Sequence, residues 1–385
     1  MKNSYLKIIL LNILGNIFSE RLFFYFCFTM TNNIFLKILL APLSLLYGFV
    51  VSLRAFSYRI KLQRSSRFDV PTICVGNLSM GGAGKSPHIE YLIRLLEPYI
   101  NVAVLSRGYR RKTEGFLFVE PKSTALDVGD EPLQFKRKFP QVAVAVGERR
   151  AYAIPQMMVR YPDLQAILLD DAFQHLAVQP YLNVLLTEFS LPFTRDFLVP
   201  SGNLREARSG AERAQIIVLT KCPLAMTVSD KQKLEREIAP LPHQRLYFSY
   251  YDYAKPYHIF DPSVAFDLDA ETEVLLITGI ARTDYLIDWL APKVKKITTM
   301  SFEDHRLFTN YDVAQLKRLF DGMTSARKRV ILTTEKDATR LDLHKAYFID
   351  NQIDVFALPI EVAFHFDGKT AFDADIKRAL LDFKI

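Results

Sequence analysis

Cysteine is scarce in this 385-residue chain. Cys27, Cys74 and Cys222 are far apart and odd in number, which excludes a disulfide framework and a CxxC-type zinc site and fits a reducing compartment. There is no low-complexity tract and no internal repeat. With 50% hydrophobic and 24% charged residues, the chain is far too apolar for disorder. Its length is enough for two domains with real cores. Acidic residues are nearly missing from the first 67 positions, where Glu20 stands alone against nine Lys/Arg: Lys2, Lys7, Arg21, Lys37, Arg54, Arg59, Lys61, Arg64 and Arg67. The remainder holds 40 basic and 41 acidic residues, so the formal charge of +7 belongs to the N-terminal segment. Nucleic-acid binding would need basic residues across a folded face, and no nucleic-acid partner is expected. A basic, apolar segment points instead to an anionic membrane surface.

Residues 1–67 read as a hydrophobic, basic membrane anchor. The run Ile38 to Leu53 is free of charge for 16 residues, short of the roughly 20 that cross a bilayer upright. Lys37 could snorkel and extend it, and the basic residues from Arg54 to Arg67 make a collar suited to the cytoplasmic face. Spanning helix, hairpin and interfacial helix all remain open. Residues 1–29 have the charge and apolar run of a signal peptide but no A-x-A-like cleavage site, and Met30 could equally start a self-sufficient segment.

From Pro71 the pattern becomes strands alternating with amphipathic helices. Short apolar runs at 72–76, 102–105, 142–146, 166–169, 182–186 and 216–220 predict a parallel sheet covered on both faces. The tyrosine-rich stretch 245–260 fits no clean helix and reads as a hinge or linker, followed by a second strand–helix series. The expected fold class is α/β: a P-loop NTPase-type parallel-sheet domain over 68–244, and a second, smaller α/β domain over 261–385 that contributes to a closed active site.

The strongest motif is Ser79-Met-Gly-Gly-Ala-Gly-Lys-Ser86, between a predicted strand and helix. It matches G-x-x-x-x-G-K-[ST] at Gly84, Lys85 and Ser86, with Ser79 in place of the first glycine. Gly81, Gly82, Ala83 and Gly84 let backbone N–H groups turn around phosphate oxygens, and the following helix points its positive end there. Lys85 supplies charge for the β/γ-phosphates and Ser86 a hydroxyl for Mg²⁺. ATP and Mg²⁺ are therefore the expected cofactors. The second half of such a site is an acid at a strand end. Asp170 and Asp171 follow the strand 166–169 and suit Mg²⁺ and its waters. A partitioning ATPase would need lysine where Met80 stands. A GTPase would need an aspartate after Thr220-Lys221-Cys222-Pro223.

Further segments, in order, are Ser106-Arg-Gly-Tyr-Arg110, Gly129-Asp-Glu-Pro132, Asp170-Asp-Ala-Phe-Gln-His175, Pro200-Ser-Gly-Asn-Leu-Arg-Glu206, Glu303-Asp-His305 and Thr333-Thr-Glu-Lys-Asp337. With Val75 to Pro87 they resemble the tetraacyldisaccharide 4′-kinase family of Gram-negative bacteria, the lipid A 4′-kinases. Departures are Arg110 and Ala172, each where the family usually has glycine, and Leu176 where a basic residue is frequent. The resemblance implies transfer of the γ-phosphoryl of ATP to the 4′-hydroxyl of a tetraacylated glucosamine disaccharide 1-phosphate. It also implies a membrane-associated monomer on the cytoplasmic face of the inner membrane, with two α/β/α domains joined by a two-stranded hinge. A membrane-tethered regulatory or partitioning ATPase and a metal-insertion GTPase remain as alternatives.

Arg107, Tyr109 and Arg110 follow a strand end and suit a sugar phosphate, because arginine takes phosphate bidentately and tyrosine packs on sugars. Arg150 is a candidate for the acceptor's 1-phosphate. Gln174 could hold a metal-bound water, and His175 could touch the acceptor. By the resemblance, Arg205 and Glu206 belong to the active site, Glu131 lies near the metal, and Asp130 sits at the acceptor hydroxyl, paired with His305 when the domains close. Lys85, Asp130, Asp171, Arg205 and His305 form the expected catalytic set. Lys336 and Asp337 read equally as a strand-end cap or a nucleotide contact.

Overall fold

The computed structural model describes residues 34–280, 283–304, 306–323 and 328–384. The readings of residues 1–29 and of His305 lie outside the described residues. The strands are β1 (Thr72–Asn77), β2 (Val102–Ser106), β3 (Leu117–Phe118), β4 (Ala143–Val146), β5 (Ala166–Asp170), β6 (Leu182–Glu188), β7 (Ile216–Thr220), β8 (Arg245–Tyr253), β9 (Tyr257–His258), β10 (Thr272–Thr278), β11 (Lys296–Ser301), β12 (Lys328–Thr334), β13 (Val355–Leu358) and β14 (Ile360–Phe364). They form a nine-stranded sheet, ordered β14-β8-β7-β6-β1-β5-β2-β4-β3, and a five-stranded sheet, β11-β10-β12-β13-β9.

Successive residues of a strand point to opposite faces, and in the large sheet both faces are buried. Ile73, Val75, Val104, Leu168, Val184 and Val218 face one core. Cys74, Ala103, Leu105, Leu169, Leu185 and Ile217 face the other. The central pairs are parallel, β1 lying between β5 and β6. The chain passes from β1 out to β2 and β5 on one side, then crosses to β6 on the other. Strand order therefore reverses at β1, which opens a crevice beyond its carboxyl end.

Two boundaries differ from the sequence reading. Residues 245–253 are not a linker: β8 pairs in parallel with β7. Tyr247, Ser249, Tyr251 and Tyr253 alternate along it and are buried, a period of two that helical templates miss. The second unit also does not run to the C-terminus. β14 returns antiparallel to β8, and the helix Gly368–Leu381 packs Phe372 and Ile376 into the first core. The chain crosses between the sheets twice, at Tyr253–Tyr257 and at Leu358–Ile360, on neighbouring antiparallel strands.

The N-terminal helix Ile34–Arg59 is one 26-residue element with Pro42 inside it. At 1.5 Å per residue it is about 39 Å long. Lys37–Arg59 is long and apolar enough to cross a membrane, and most of it is bare. Ile34, Phe35, Ile38, Leu39, Leu45, Leu46 and Phe49 are exposed, an apolar face that calls for lipid or another covering. One narrow face is docked. Ser44 Oγ donates to Leu198 O at 3.1 Å, and Tyr47 Oη donates to Arg205 O at 2.8 Å.

Candidate functional site

The phosphate loop leaves β1 at Asn77 and enters the helix Lys85–Leu96. Gly84 is the N-cap, at φ 87°. A Cβ there would come 2.1 Å from Tyr251 Oη, so the position requires glycine both for its backbone and for the close approach of β8. No side chain caps this helix and no acid lies in its first turn, so its N-terminus offers donors and positive potential to an anion. Thr220 Oγ1 donates to Ala83 O at 2.9 Å and braces the loop from β7. His88 fixes the first helical turn: its Nδ1 lies 2.8 Å from Gly84 O and its Nε2 3.1 Å from Ser249 Oγ. Burial pushes the imidazole down to about 4, so it is neutral at physiological pH.

Three sequence-chosen residues meet at the mouth of the loop. Lys85 Nζ is 3.7 Å from Asp171 Oδ2, and Arg205 Nη2 is 2.9 Å from Asp171 Oδ1. Burial alone would raise the Asp171 pKa, but Lys85 and Arg205 outweigh it and hold the carboxyl well below the usual range. Asp170 behaves oppositely. Burial first, then the charges of Glu131 and Asp171, push it up to about 7. Its Oδ2 accepts from Ser106 Oγ at 2.8 Å, and its Oδ1 is buried without a hydrogen-bond partner.

An orphaned carboxylate oxygen beside a second carboxylate is a position that a divalent cation would satisfy. Asp170, Glu131 and the Ser86 hydroxyl therefore fit Mg²⁺. Among the described residues no cluster of three His, Cys, Asp or Glu could hold a metal unaided. A magnesium shared with phosphate oxygens needs only one or two carboxylates.

Asn77 is the residue that sequence reasoning missed. Its Oδ1 accepts from Arg205 at 2.6 Å and from Lys85 at 3.3 Å, and its carbonyl accepts from Gln174 and Arg205. The signal was available: it is the polar last residue of a buried strand, four positions before the first loop glycine, Gly81.

Several other candidates turn out to be braces. Arg150 is fully buried. Its guanidinium donates to the carbonyls of Gly147 and Asp170, so it fixes the end of β5 and reaches no acceptor. Glu206 is buried against Arg213 at 2.9 Å and takes Gln174 Nε2 at 2.8 Å. The Gln174 amide N–H groups are thus spent on Asn77 and Glu206, which leaves Oε1 without a partner. Burial, followed by the charges of Arg150, Arg107 and Arg54, lowers His175 to about 4. A neutral His175 therefore sits within the field of three arginines, one of them on the N-terminal helix. Arg107 and Tyr109 are exposed on the loop after β2. Arg110 adopts φ 59°, the left-handed conformation that favours the glycine expected there, and its Nη1 donates to Asp304 O at 3.1 Å in the second unit.

The acidic turn starts a helix as expected, Asp130–Lys138, with Gly129 as N-cap at φ 92°. Asp130 is buried and lies 3.9 Å from Arg340 Nε. The second unit closes on this helix through its own helix Glu335–Leu341. Lys138 Nζ bridges Glu90 at 2.7 Å and Glu335 at 2.6 Å. Lys336 Nζ lies 3.5 Å from Glu131 and 3.6 Å from Asp304. Asp337, by contrast, completes the cap of its own helix: its N–H donates to the N-cap Thr334 Oγ1 at 3.1 Å, and its carboxylate takes Thr334 Oγ1 at 2.6 Å and Gly279 N at 3.1 Å. Of the two readings for that segment, the cap holds for Asp337, while Lys336 reaches the acidic turn.

Comparison with known proteins agrees with this geometry. Residues 36–381 match the family of tetraacyldisaccharide-1-P 4′-kinases. A tetraacyldisaccharide 4′-kinase of Bacteroides thetaiotaomicron is 42% identical over 335 residues, covering 84% of this chain and 88% of that one. One of Flavobacterium johnsoniae is 39% identical over 342 residues, covering 89% and 96%. A crystal structure of LpxK from Aquifex aeolicus, described as an "apo" form in complex with ATP, superposes with a TM-score of 0.69 at 29% identity, covering 90% of this chain and 99% of that one. These relatives do not favour the regulatory-ATPase or metal-insertion readings. A phosphate loop with a lysine, an arginine and an acid at its mouth, in a chain related over nearly its whole length to these enzymes, establishes that this protein belongs to the tetraacyldisaccharide 4′-kinase family, the ATP-dependent kinases of lipid A biosynthesis.

Proposed function

We propose that the protein phosphorylates the 4′-hydroxyl of a tetraacylated glucosamine disaccharide 1-phosphate with ATP, as a monomer on the cytoplasmic face of the inner membrane. The observation that carries this reading is the meeting of Lys85, Arg205 and Asp171 at a glycine loop whose neighbouring loop is bound to the bare apolar helix. Backbone N–H groups of residues 81–86 cradle the phosphates. Lys85 and Arg205 face the charge that the transferring phosphoryl group spreads over its oxygens. Asp170, Glu131 and Ser86 would hold Mg²⁺, which supplies charge neutralisation between phosphate groups. Asn77 keeps the lysine and the arginine together.

A sugar hydroxyl is a poor nucleophile, and Asp130 takes its proton. Support for its pairing with His305 comes from the neighbouring residue. Asp304 is held against Lys336, and Lys336 against Glu131, so Asp304 lies next to the acidic turn. Arg54 and Arg107 line the acceptor side near His175, with Arg54 brought there by the anchor helix, and Tyr109 follows on the loop of Arg107. The exposed apolar face of that helix enters the leaflet that holds the lipid, and Arg54, Arg59, Lys61, Arg64 and Arg67 meet anionic headgroups. The direct test is to incubate the purified protein with radiolabelled ATP, Mg²⁺ and the lipid acceptor. Label on the 4′-position of the lipid is expected. ATP hydrolysis without labelled lipid would overturn the reading.

A further inference from the structure

The loop Asp196–Glu206 links three parts of the molecule, and only one of them is the known chemistry of a phosphate loop. At its C-terminal end Arg205 reaches Asp171 and Asn77. Its main chain is stitched to the phosphate loop, with Arg205 N donating to Leu78 O and Met80 N donating to Asn203 O, both at 2.7 Å. Its outer side carries the N-terminal helix. Ser44 Oγ donates to Leu198 O at 3.1 Å and accepts from Ser201 N at 2.9 Å, and Ser201 Oγ donates to Lys37 O at 3.0 Å. At Gly48 the helix comes so close that a Cβ would lie 2.6 Å from Leu198 Cδ1. The contact nearest the chemistry is Tyr47, whose hydroxyl donates to the carbonyl of Arg205 itself at 2.8 Å.

An anchor that only tethers would need none of this. A membrane-facing helix attached by its C-terminal end at Arg59 could project freely, yet here its docked face is spent on the loop that ends at Arg205, and one of its hydroxyls on the Arg205 carbonyl itself. A backbone carbonyl held on one side and an amide held by Leu78 on the other fix the plane from which the Arg205 side chain departs. Small displacements of that plane move the guanidinium by enough to weaken a bidentate carboxylate pair.

We propose that Tyr47 is a positioning residue for phosphoryl transfer: its hydroxyl holds the Arg205 main chain, which makes the anchor helix a structural part of the active site. This inference rests on the kinase reading above. It leads to a specific dependence: the effect of Tyr47 on turnover passes through Arg205 and through no other group.

The test is a double-mutant cycle on the full-length protein, with the lipid acceptor dispersed in detergent micelles so that membrane binding is not limiting. Tyr47→Phe removes the hydroxyl and keeps the ring. It should lower kcat about fivefold, the worth of one hydrogen bond, with the KM for ATP unchanged. In an Arg205→Ala background the same substitution should have no further effect, because the group it positions is gone. Tyr47→Phe with wild-type kcat would overturn the proposal. So would an equal fold-loss in both backgrounds, which is the signature of a general packing role. Wild-type protein that labels no lipid would instead overturn the kinase reading, and this inference with it.

Discussion

Strands β1 and β12 each run straight into a helix, and the two junctions differ in nearly every chemical respect. After β1 the chain makes an exposed glycine loop and begins a helix with no side-chain cap and no acid in its first turn. After β12 there is no loop at all. Thr334 caps the helix through Asp337 N, and Glu335 and Asp337 fill the first turn with negative charge. Asp337 is in turn neutralised by Arg340, itself buried and donating to Gly279 O. A helix N-terminus is an anion site in either case. In the larger unit it is left open for a phosphate that comes and goes. In the smaller unit the Thr334 hydroxyl caps it and acidic side chains fill its first turn. The smaller unit meets the acidic turn from its outer surface, through Lys336, which lies against Glu131 and Asp304.

The sharpest way to break that contrast is to exchange what each junction needs. Lys85→Ala should lower kcat by about a thousandfold, since the ammonium acts on charge developed in the transition state, while the urea unfolding midpoint stays put. Near-wild-type turnover would show that the open junction is not the phosphate site. Asp337→Ala should do the reverse. It leaves Arg340 buried without its carboxylate, a loss of about 3 kcal/mol in folding stability, readable in chemical unfolding followed by far-UV circular dichroism. A full loss of activity with unchanged stability would mean that the second junction also handles nucleotide.

The proposed contribution from the smaller unit is tested next. Asp130→Ala and His305→Ala should each lower kcat by about a hundredfold with little change in ATP affinity. The double variant should lose far less than the product of the two. Multiplicative losses would remove the dyad and reduce the second unit to a lid.

Removing the basic collar in steps, from Arg54 to Arg67, should weaken binding to vesicles of anionic lipid by about 1 kcal/mol per residue near the surface. The effect should vanish in high salt, while burial of the apolar face persists. Sedimentation that ignores both charge and salt would contradict the collar.

The smallest expected effect is a pH dependence at the open junction. The His88 imidazole is held down to about 4 against an ordinary 6.5. The folded state thus binds fewer protons than the unfolded one between those values. The stability it contributes is present in full above pH 6.5 and is lost as pH falls toward 4. Wild-type protein should lose unfolding free energy over that window relative to His88→Gln, which does not titrate. Parallel pH profiles would show that the buried imidazole is not held neutral.

Local pattern carried far in this chain. The glycine loop, the paired acids and the acidic turn were legible because each lies within a few consecutive residues and demands particular side chains at fixed spacing. Tyr247 to Tyr253 were misread because the alternating buried positions are tyrosines and a serine, Tyr250 lies between them, and only Asp252 marks the exposed face, so polarity hardly records the alternation. Arg150, Gln174 and Glu206 have the right residue types for phosphate, metal or sugar, and composition cannot distinguish a side chain that faces a ligand from one that holds a backbone carbonyl.

The order of hydrophobic runs and the glycine, lysine and carboxylate spacings were enough by themselves to determine an α/β sheet, a phosphate site and membership of a lipid kinase family, because strand burial and phosphate binding are both set within short stretches. Which groups share a charge was decided only by the tertiary structure. Asn77 with Arg205, Lys336 with Glu131, and Tyr47 with the Arg205 carbonyl are separated by between 128 and 205 residues in the chain. Contacts over such separations arise only when strand order, a reversal at β1 and the return of β14 bring distant loops to one edge. Hydrogen bonds and ion pairs form only at contact distance, so no local pattern records which distant partners meet.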